Sequence, residues 1–304
     1  MVLPVKTNLR FMLKYVGRPL ALMFAFDVAV SLVYVYGGWT RIAMPNVPLT
    51  IFGGVIGVIV GFRNNSSYQR WWDGRTLWGQ IVNHSRTLAR QVLSFPDSMQ
   101  EGDLSELRAS QRQIILLQIA YVHSLRCQLR GHSPWDKLES LIPDFDWGTV
   151  RSEQNVPLYL QKQIADSLRQ WFVRGWIDSL RWTALDATLT AMMNAQGGTE
   201  RIKNTPMPRQ YDYYPQLFIT LYCILLPLGM VESLRLMTPI GSTLVGFMFL
   251  ALDQIGRDLE APFENDEHDV PLTSLSKTIE INLKQLLGDT KLPDPVKPLY
   301  GVLW

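Results

Sequence analysis

Cysteine is nearly absent from this chain: its 304 residues include only Cys127 and Cys223. Two thiols cannot build a disulfide framework, and no short Cys/His spacing marks a zinc site. An excess of charge of one sign is also missing. Lysine and arginine total 29 against 27 aspartates and glutamates, a net charge of +2, so nucleic acid is not expected as a partner. Charged residues make up 18% of the chain and hydrophobic ones 47%, which excludes a disordered polymer. The common signatures of catalysis are lacking as well. There is no Gly-x-x-x-x-Gly-Lys-Ser/Thr, Gly-x-Gly-x-x-Gly, His-Glu-x-x-His or Gly-x-Ser-x-Gly. His84, His123, His132 and His268 stand isolated and read as packed or solvated side chains. No enzyme, catalytic residue or cofactor is expected.

What the chain does have is an uneven distribution of apolar residues, hidden behind a mean hydropathy of +0.03. From Pro19 to Trp39 the only ionisable residue is Asp27, and from Val47 to Phe62 there is none. Gly37, Gly38, Pro45 and Pro48 lie between the runs as turn residues, giving a helical hairpin. About 20 residues at roughly 1.5 Å each cover a hydrocarbon core of about 30 Å. No small-residue cleavage site closes the first run, so these are expected to be retained helices. Leu217 to Leu252 carries only Glu232 and Arg235, followed by Thr238 and Pro239, and reads as a second hairpin with its tip there. A carboxylate at mid-span costs about 2.5–3.5 kcal/mol, so Asp27 should face protein, a partner or water.

Basic residues orient the spans. Lys6, Arg10, Lys14 and Arg18 precede the first; Arg63, Arg70 and Arg75 follow the second; Arg201, Lys203 and Arg209 precede the third; Arg257 follows the fourth. The tips offer only Arg41 and Arg235, so both termini and the middle of the chain are expected in the cytoplasm. The segment between the hairpins has helical periodicity, with one helix around Leu104–Leu125, a second around Leu160–Phe172 and a third from Ile177 to Met193 that Gly197-Gly198 should end. The fourth span should continue through Asp253–Glu260, and a further helix should cover Thr273–Leu287. The expected organisation is an all-α membrane protein: an N-terminal cytoplasmic segment 1–18, a first transmembrane hairpin 19–62, a cytoplasmic helical domain 63–214, a second hairpin 215–252 and C-terminal cytoplasmic helices and tail 253–304.

The second span carries two patterns. Gly53, Gly57 and Gly61 recur every four residues, a stripe of small residues that lets helices pack closely in lipid. About 100° away lie Gly54, Val58 and Phe62. Arg63-Asn64-Asn65-Ser66-Ser67 then switches the helix abruptly to polar character. This suits either a packed helix with an interfacial end or a pore-lining helix whose apolar constriction gates by dewetting. The acidic loop Glu264–Asp269 offers Asp266, Glu267 and Asp269 as oxygen donors for a hard cation, or forms a solvated turn; it lacks the order of an EF-hand.

Gly61-Phe62-Arg63-Asn64-Asn65 with Tyr68, Arg70-Trp71-Trp72, Arg75 and Leu77-Trp78-Gly79 resembles the signature of prokaryotic bestrophins. Glu200-Arg201 with Asn204-Thr205-Pro206-Met207-Pro208, and Leu259-Glu260-Ala261-Pro262-Phe263 with Val270-Pro271-Leu272, resemble two further landmarks of that family. The resemblance implies a homopentamer in the prokaryotic plasma (inner) membrane, around one pathway for small monovalent ions, chloride or other anions or sodium- or potassium-type cations. It implies a neck at Gly54, Val58 and Phe62 and a cytoplasmic aperture at Thr205 and Met207. Gly54 departs from the bulky neck residue usual in relatives, which shortens the tight part. Ala261 and His268 interrupt the asparagine and aspartate run of the eukaryotic calcium clasp. The alternative is a membrane-anchored scaffold or sensor that binds a cytoplasmic partner.

Overall fold

The computed structural model describes residues 1, 9–97 and 103–304; Lys6 lies outside the described residues. Ten α-helices are described: α1 Leu9–Val35, α2 Asn46–Ser94, α3 Asp103–Arg130, α4 Trp135–Leu141, α5 Trp147–Val150, α6 Val156–Val173, α7 Ser179–Asn204, α8 Arg209–Leu234, α9 Thr238–Glu260 and α10 Leu272–Leu286. Among the described residues there is no strand beyond one bridge between Leu299 and Val302. The chain divides into two compact units. One comprises Pro4–Trp71 and Pro206–Ala261; the other comprises Met1–Leu3, Trp72–Thr205 and Pro262–Trp304.

The first unit contains α1, the first half of α2, α8 and α9. Two stretches here, Val16–Val35 and the 52 residues Arg209–Glu260, are long and apolar enough to cross a membrane. The start of α2 carries no charge from Val47 to Phe62, and its helix runs on for 49 residues through a strongly polar second half. Pro48 sits in the first turn of α2, where its missing N–H loses no helical bond. α8 ends at Leu234, where Arg235 takes a positive φ of 48° and a short 3₁₀ turn, Arg235–Met237, reverses the chain into α9. The core of this unit is Met23, Leu49, Ile56, Val60, Ile219, Tyr222, Cys223 and Leu226. Asp27 is fully buried inside it, with Oδ2 accepting from the Thr243 hydroxyl at 3.1 Å, so this carboxylate faces protein. Met44 N–H donates to Leu228 O at 2.9 Å and secures the loop before α2.

The second unit is built around α3, buried almost all round from Ile114 to Leu125 because it is wrapped by neighbouring helices. Trp78, Ile81, Leu88 and Val92 of α2 are buried in the same unit. Asn155 caps α6 by accepting from Leu158 N–H at 3.0 Å, and Asp178 caps α7 from Arg181 N–H at 2.7 Å. Gly197-Gly198 does not end α7, which runs to Asn204. A Cβ on Gly198 would lie 2.7 Å from Leu77 Cδ2, so this glycine permits close packing within the helix rather than a cap. The tail after Pro298 folds back: Ser274 N–H donates to Trp304 O at 2.7 Å, and the Met1 amine donates to Leu303 O at 2.8 Å.

Candidate functional site

The first half of α2 has two faces. Leu49, Gly53, Ile56, Val60, Arg63 and Ser67 are buried, at alternating spacings of four and three that keep them on one side of a helix. Gly54, Val58 and Phe62 point away from this packed side, and Val58 and Phe62 are 58% and 68% exposed. The glycine stripe divides accordingly. A Cβ on Gly53 would lie 2.6 Å from Tyr222 Oη, so α2 and α8 approach closely there. Cβ atoms on Gly57, Gly61 or Gly54 would meet nothing within 4 Å, so within one chain no seam runs the length of the stripe.

Where the exposed apolar strip ends, a charge cluster begins. Arg63 is 1% exposed; its Nη1 donates to Asp253 Oδ1 at 2.7 Å and its Nη2 to Asp212 Oδ1 at 2.6 Å, with Glu260 Oε2 3.8 Å away. Arg257 Nη2 takes the other Asp253 oxygen at 2.7 Å, and Arg70 Nε donates to the Glu260 carbonyl at 2.7 Å. Asn64 Nδ2 donates to Leu252 O at 2.8 Å. Burial lowers the proton affinity of Arg70. Paired carboxylates on α8 and α9 are what allow a guanidinium to be buried at this level. The sequence reading missed Asp212 and Asp253 as partners of Arg63.

Thr205 and Met207 occupy the extended link between α7 and α8, held open by Pro206 and Pro208. Thr205 is exposed at the end of α7, and half-buried Met207 brings its Sδ within 3.7 Å of Ser67 Oγ. The acidic loop gathers no cation cage. Asp266, Glu267 and Asp269 form no metal-holding group, and neither do any other His, Cys, Asp or Glu among the described residues. Asp269 instead turns inward and accepts the N–H groups of Asn265 and Asp266 at 2.7 and 3.1 Å, its carboxyl pushed up to about 6 by burial. It is a turn-forming carboxylate, since Asn265 adopts a left-handed φ of 74°.

Of the histidines, His123 has a distinctive setting. Its Nε2 lies 3.0 Å from Glu280 Oε2 in the interior, and its Nδ1 has no partner. Burial lowers its affinity for a proton, outweighing the attraction of Glu280. The unfolded chain therefore binds the proton more readily, and stability should fall as pH drops below about 6.5, the ordinary value for histidine. Melting temperature measured from pH 7.5 to 5.5 should decline more steeply for the parent protein than for His123→Gln; parallel curves would disprove this.

These features, an apolar helical strip ending in a buried ion cluster within a unit whose helices are long and apolar enough to cross a membrane, are those of a membrane protein. The family described as Bacterial/Fungal Bestrophin protein matches residues 11–285, and the chain belongs to it. Among its relatives is the voltage-dependent anion channel-forming protein of Ralstonia nicotianae, 32% identical over 276 residues, 90% of this chain and 88% of that one. Another is the voltage-dependent anion channel-forming protein YneE of Escherichia coli, 31% identical over 94% of this chain and 91% of that one. The crystal structure of a bacterial bestrophin homolog from Klebsiella pneumoniae superposes with a TM-score of 0.82 at 27% identity, covering 93% of this chain and all of that one.

Proposed function

We propose that this protein is a channel for small monovalent ions, assembled as a homopentamer in the bacterial inner membrane. Each chain would contribute four spans in two hairpins, with both termini and residues 63–214 in the cytoplasm. The names of its relatives favour anions as the permeant species. Gly54, Val58 and Phe62 line the neck, and Thr205 and Met207 lie at the cytoplasmic aperture. The observation that carries the reading is the face of α2 that its own chain leaves uncovered: Val58 and Phe62 are more than half exposed although they lie opposite a packed core. In a ring of copies that face would surround the axis, and Gly57 and Gly61, open in one chain, would admit a neighbouring helix.

The test is the reversal potential of purified protein in a planar bilayer under a salt gradient. A non-zero reversal potential is expected, its sign that of anion permeation. The opposite sign would make the channel cation-selective, and no current at all would favour the scaffold reading, in which residues 63–214 hold a protein partner.

A further inference from the structure

We propose that a cleft between α1, α8 and α9 binds one anionic phospholipid, whose acyl chain lies in the cleft and whose phosphate meets Arg18. This rests on the membrane-spanning part of the reading above and is independent of ion passage. The cleft has a volume of about 260 Å³. Leu22 and Phe26 of α1 and Ile224 of α8 form its exposed walls, and Met23 and Cys223, 8% and 9% exposed, form its floor. Among the described residues no charged side chain lines it. The hydroxyl of Thr220 donates within its own helix to Gln216 O at 2.8 Å, which leaves only its methyl group for an occupant.

Size and chemistry select the occupant. Pockets for whole small molecules measure roughly 300–1,000 Å³, more than this cleft offers. An α-helix with its side chains is about 10–12 Å across, too wide to be seated here. A single hydrocarbon chain is narrow enough and needs no polar partner. The α1 wall runs from Pro19 to Phe26, about 10 Å at roughly 1.5 Å per residue, which fits within the roughly 15 Å hydrocarbon depth of one leaflet. At the start of this wall the character changes. Arg18 lies one turn before Leu22 on the same face of α1; it is exposed, and among the described residues no carboxylate pairs with it. On α8, exposed Gln216 lies one turn before Thr220, and Tyr213, 58% exposed, lies two turns before it. A cation, an amide and a phenol therefore stand at the end of the apolar cleft that the basic residues place at the cytoplasmic boundary. A phospholipid presents the matching order, hydrocarbon and then phosphate, and a guanidinium donates to phosphate through paired N–H groups.

The test takes the full chain in detergent, stripped of lipid, and titrates it with phosphatidylglycerol and with phosphatidylcholine, read by native mass spectrometry. One phosphatidylglycerol per chain should bind, about fivefold more tightly than phosphatidylcholine, whose choline offsets the phosphate charge that Arg18 attracts. Arg18→Gln should abolish that preference. Ile224→Trp fills the cleft from a wall residue that is 46% exposed and should weaken both lipids by about tenfold or more; Leu22→Trp should do the same from the opposite wall. Leu32→Trp, exposed on α1 but outside the cleft, should bind as the parent does. Gel filtration of each variant shows that it folds and assembles. An unchanged preference in Arg18→Gln, or unchanged binding in a tryptophan variant that folds, would overturn the proposal. So would cleft variants that still bind lipid but no longer assemble, since the cleft would then belong to a neighbouring copy. Should alkaline carbonate release the protein from membranes, the membrane-spanning reading fails first and this inference with it.

Discussion

Replacing Val58 and Phe62 together by alanine is expected to raise single-channel current by about an order of magnitude, which corresponds to removing roughly 1.4 kcal/mol from the barrier to permeation. An apolar ring impedes ions because water leaves it readily and an ion within it loses hydration with no polar group to replace it. Both side chains project from the uncovered face of α2, and Gly54, one turn before Val58, adds no bulk to that face. The resistance should then lie in two rings rather than three. Filling the third ring is the converse test: Gly54→Leu should lower current, since a Cβ at Gly54 meets no atom of its own chain and folding should tolerate it. Leu22→Ala, on α1, is equally exposed but should leave current as it was. Unchanged current in the Val58/Phe62 double variant would remove these residues from the constriction.

Which parts of this arrangement could be read from the sequence follows from how far apart the interacting residues lie. The apolar stretches Val16–Val35 and Arg209–Glu260 are legible because the property that defines them, scarcity of charge over about 20 residues, is local. The faces of α2 are legible for the same reason, as spacings within one helix. The continuity of α2 is partly so: no proline interrupts it between Pro48 and Pro96, although its change from apolar to polar after Phe62 suggests a boundary. Gly197-Gly198 shows the limit of local signals. A glycine that ends a helix and one that lets another side chain approach look the same in a sequence, and only the proximity of Leu77 separates them. The Arg63 cluster was out of reach because its carboxylates lie 149 and 190 residues away. The acidic loop is ambiguous in composition alone, which suits either oxygen donors for a cation or a solvated turn, and in the structure Asp269 turns inward onto its own backbone.

The same long-range logic makes Glu280 a costly residue to remove from the unit that contains α3, α4 and α10. Its carboxylate is 1% exposed and accepts from Lys137 at 2.9 Å and Lys277 at 3.2 Å, with Lys284 at 3.2 Å and His123 at 3.0 Å. Burial alone would push the carboxyl up, but hydrogen bonds from His123 and Lys137 more than offset it and hold it well below the ordinary carboxylate range. A group depressed in this way contributes its stability above its unfolded value near 4.5 and loses it only as pH falls through the lower, folded value. At neutral pH it is therefore fully engaged. Its partners come from α3, α4 and α10, so a single carboxylate joins three helices that are distant in sequence. Replacing it by leucine would leave three ammonium groups converging on an apolar side chain. Removing one partner of a buried ion pair costs about 3–5 kcal/mol. The lysines here are 19–32% exposed and can partly turn to solvent, which places the expected loss at the lower end, about 3 kcal/mol. At about 2–4 °C per kcal/mol, that lowers the melting temperature by roughly 6–12 °C. Lys277→Met, which leaves the other donors in place, should cost only a fraction of this. Thermal unfolding of both variants at pH 7 decides it: an Glu280→Leu variant as stable as its parent would mean that the lysines repel one another as strongly as the carboxylate binds them.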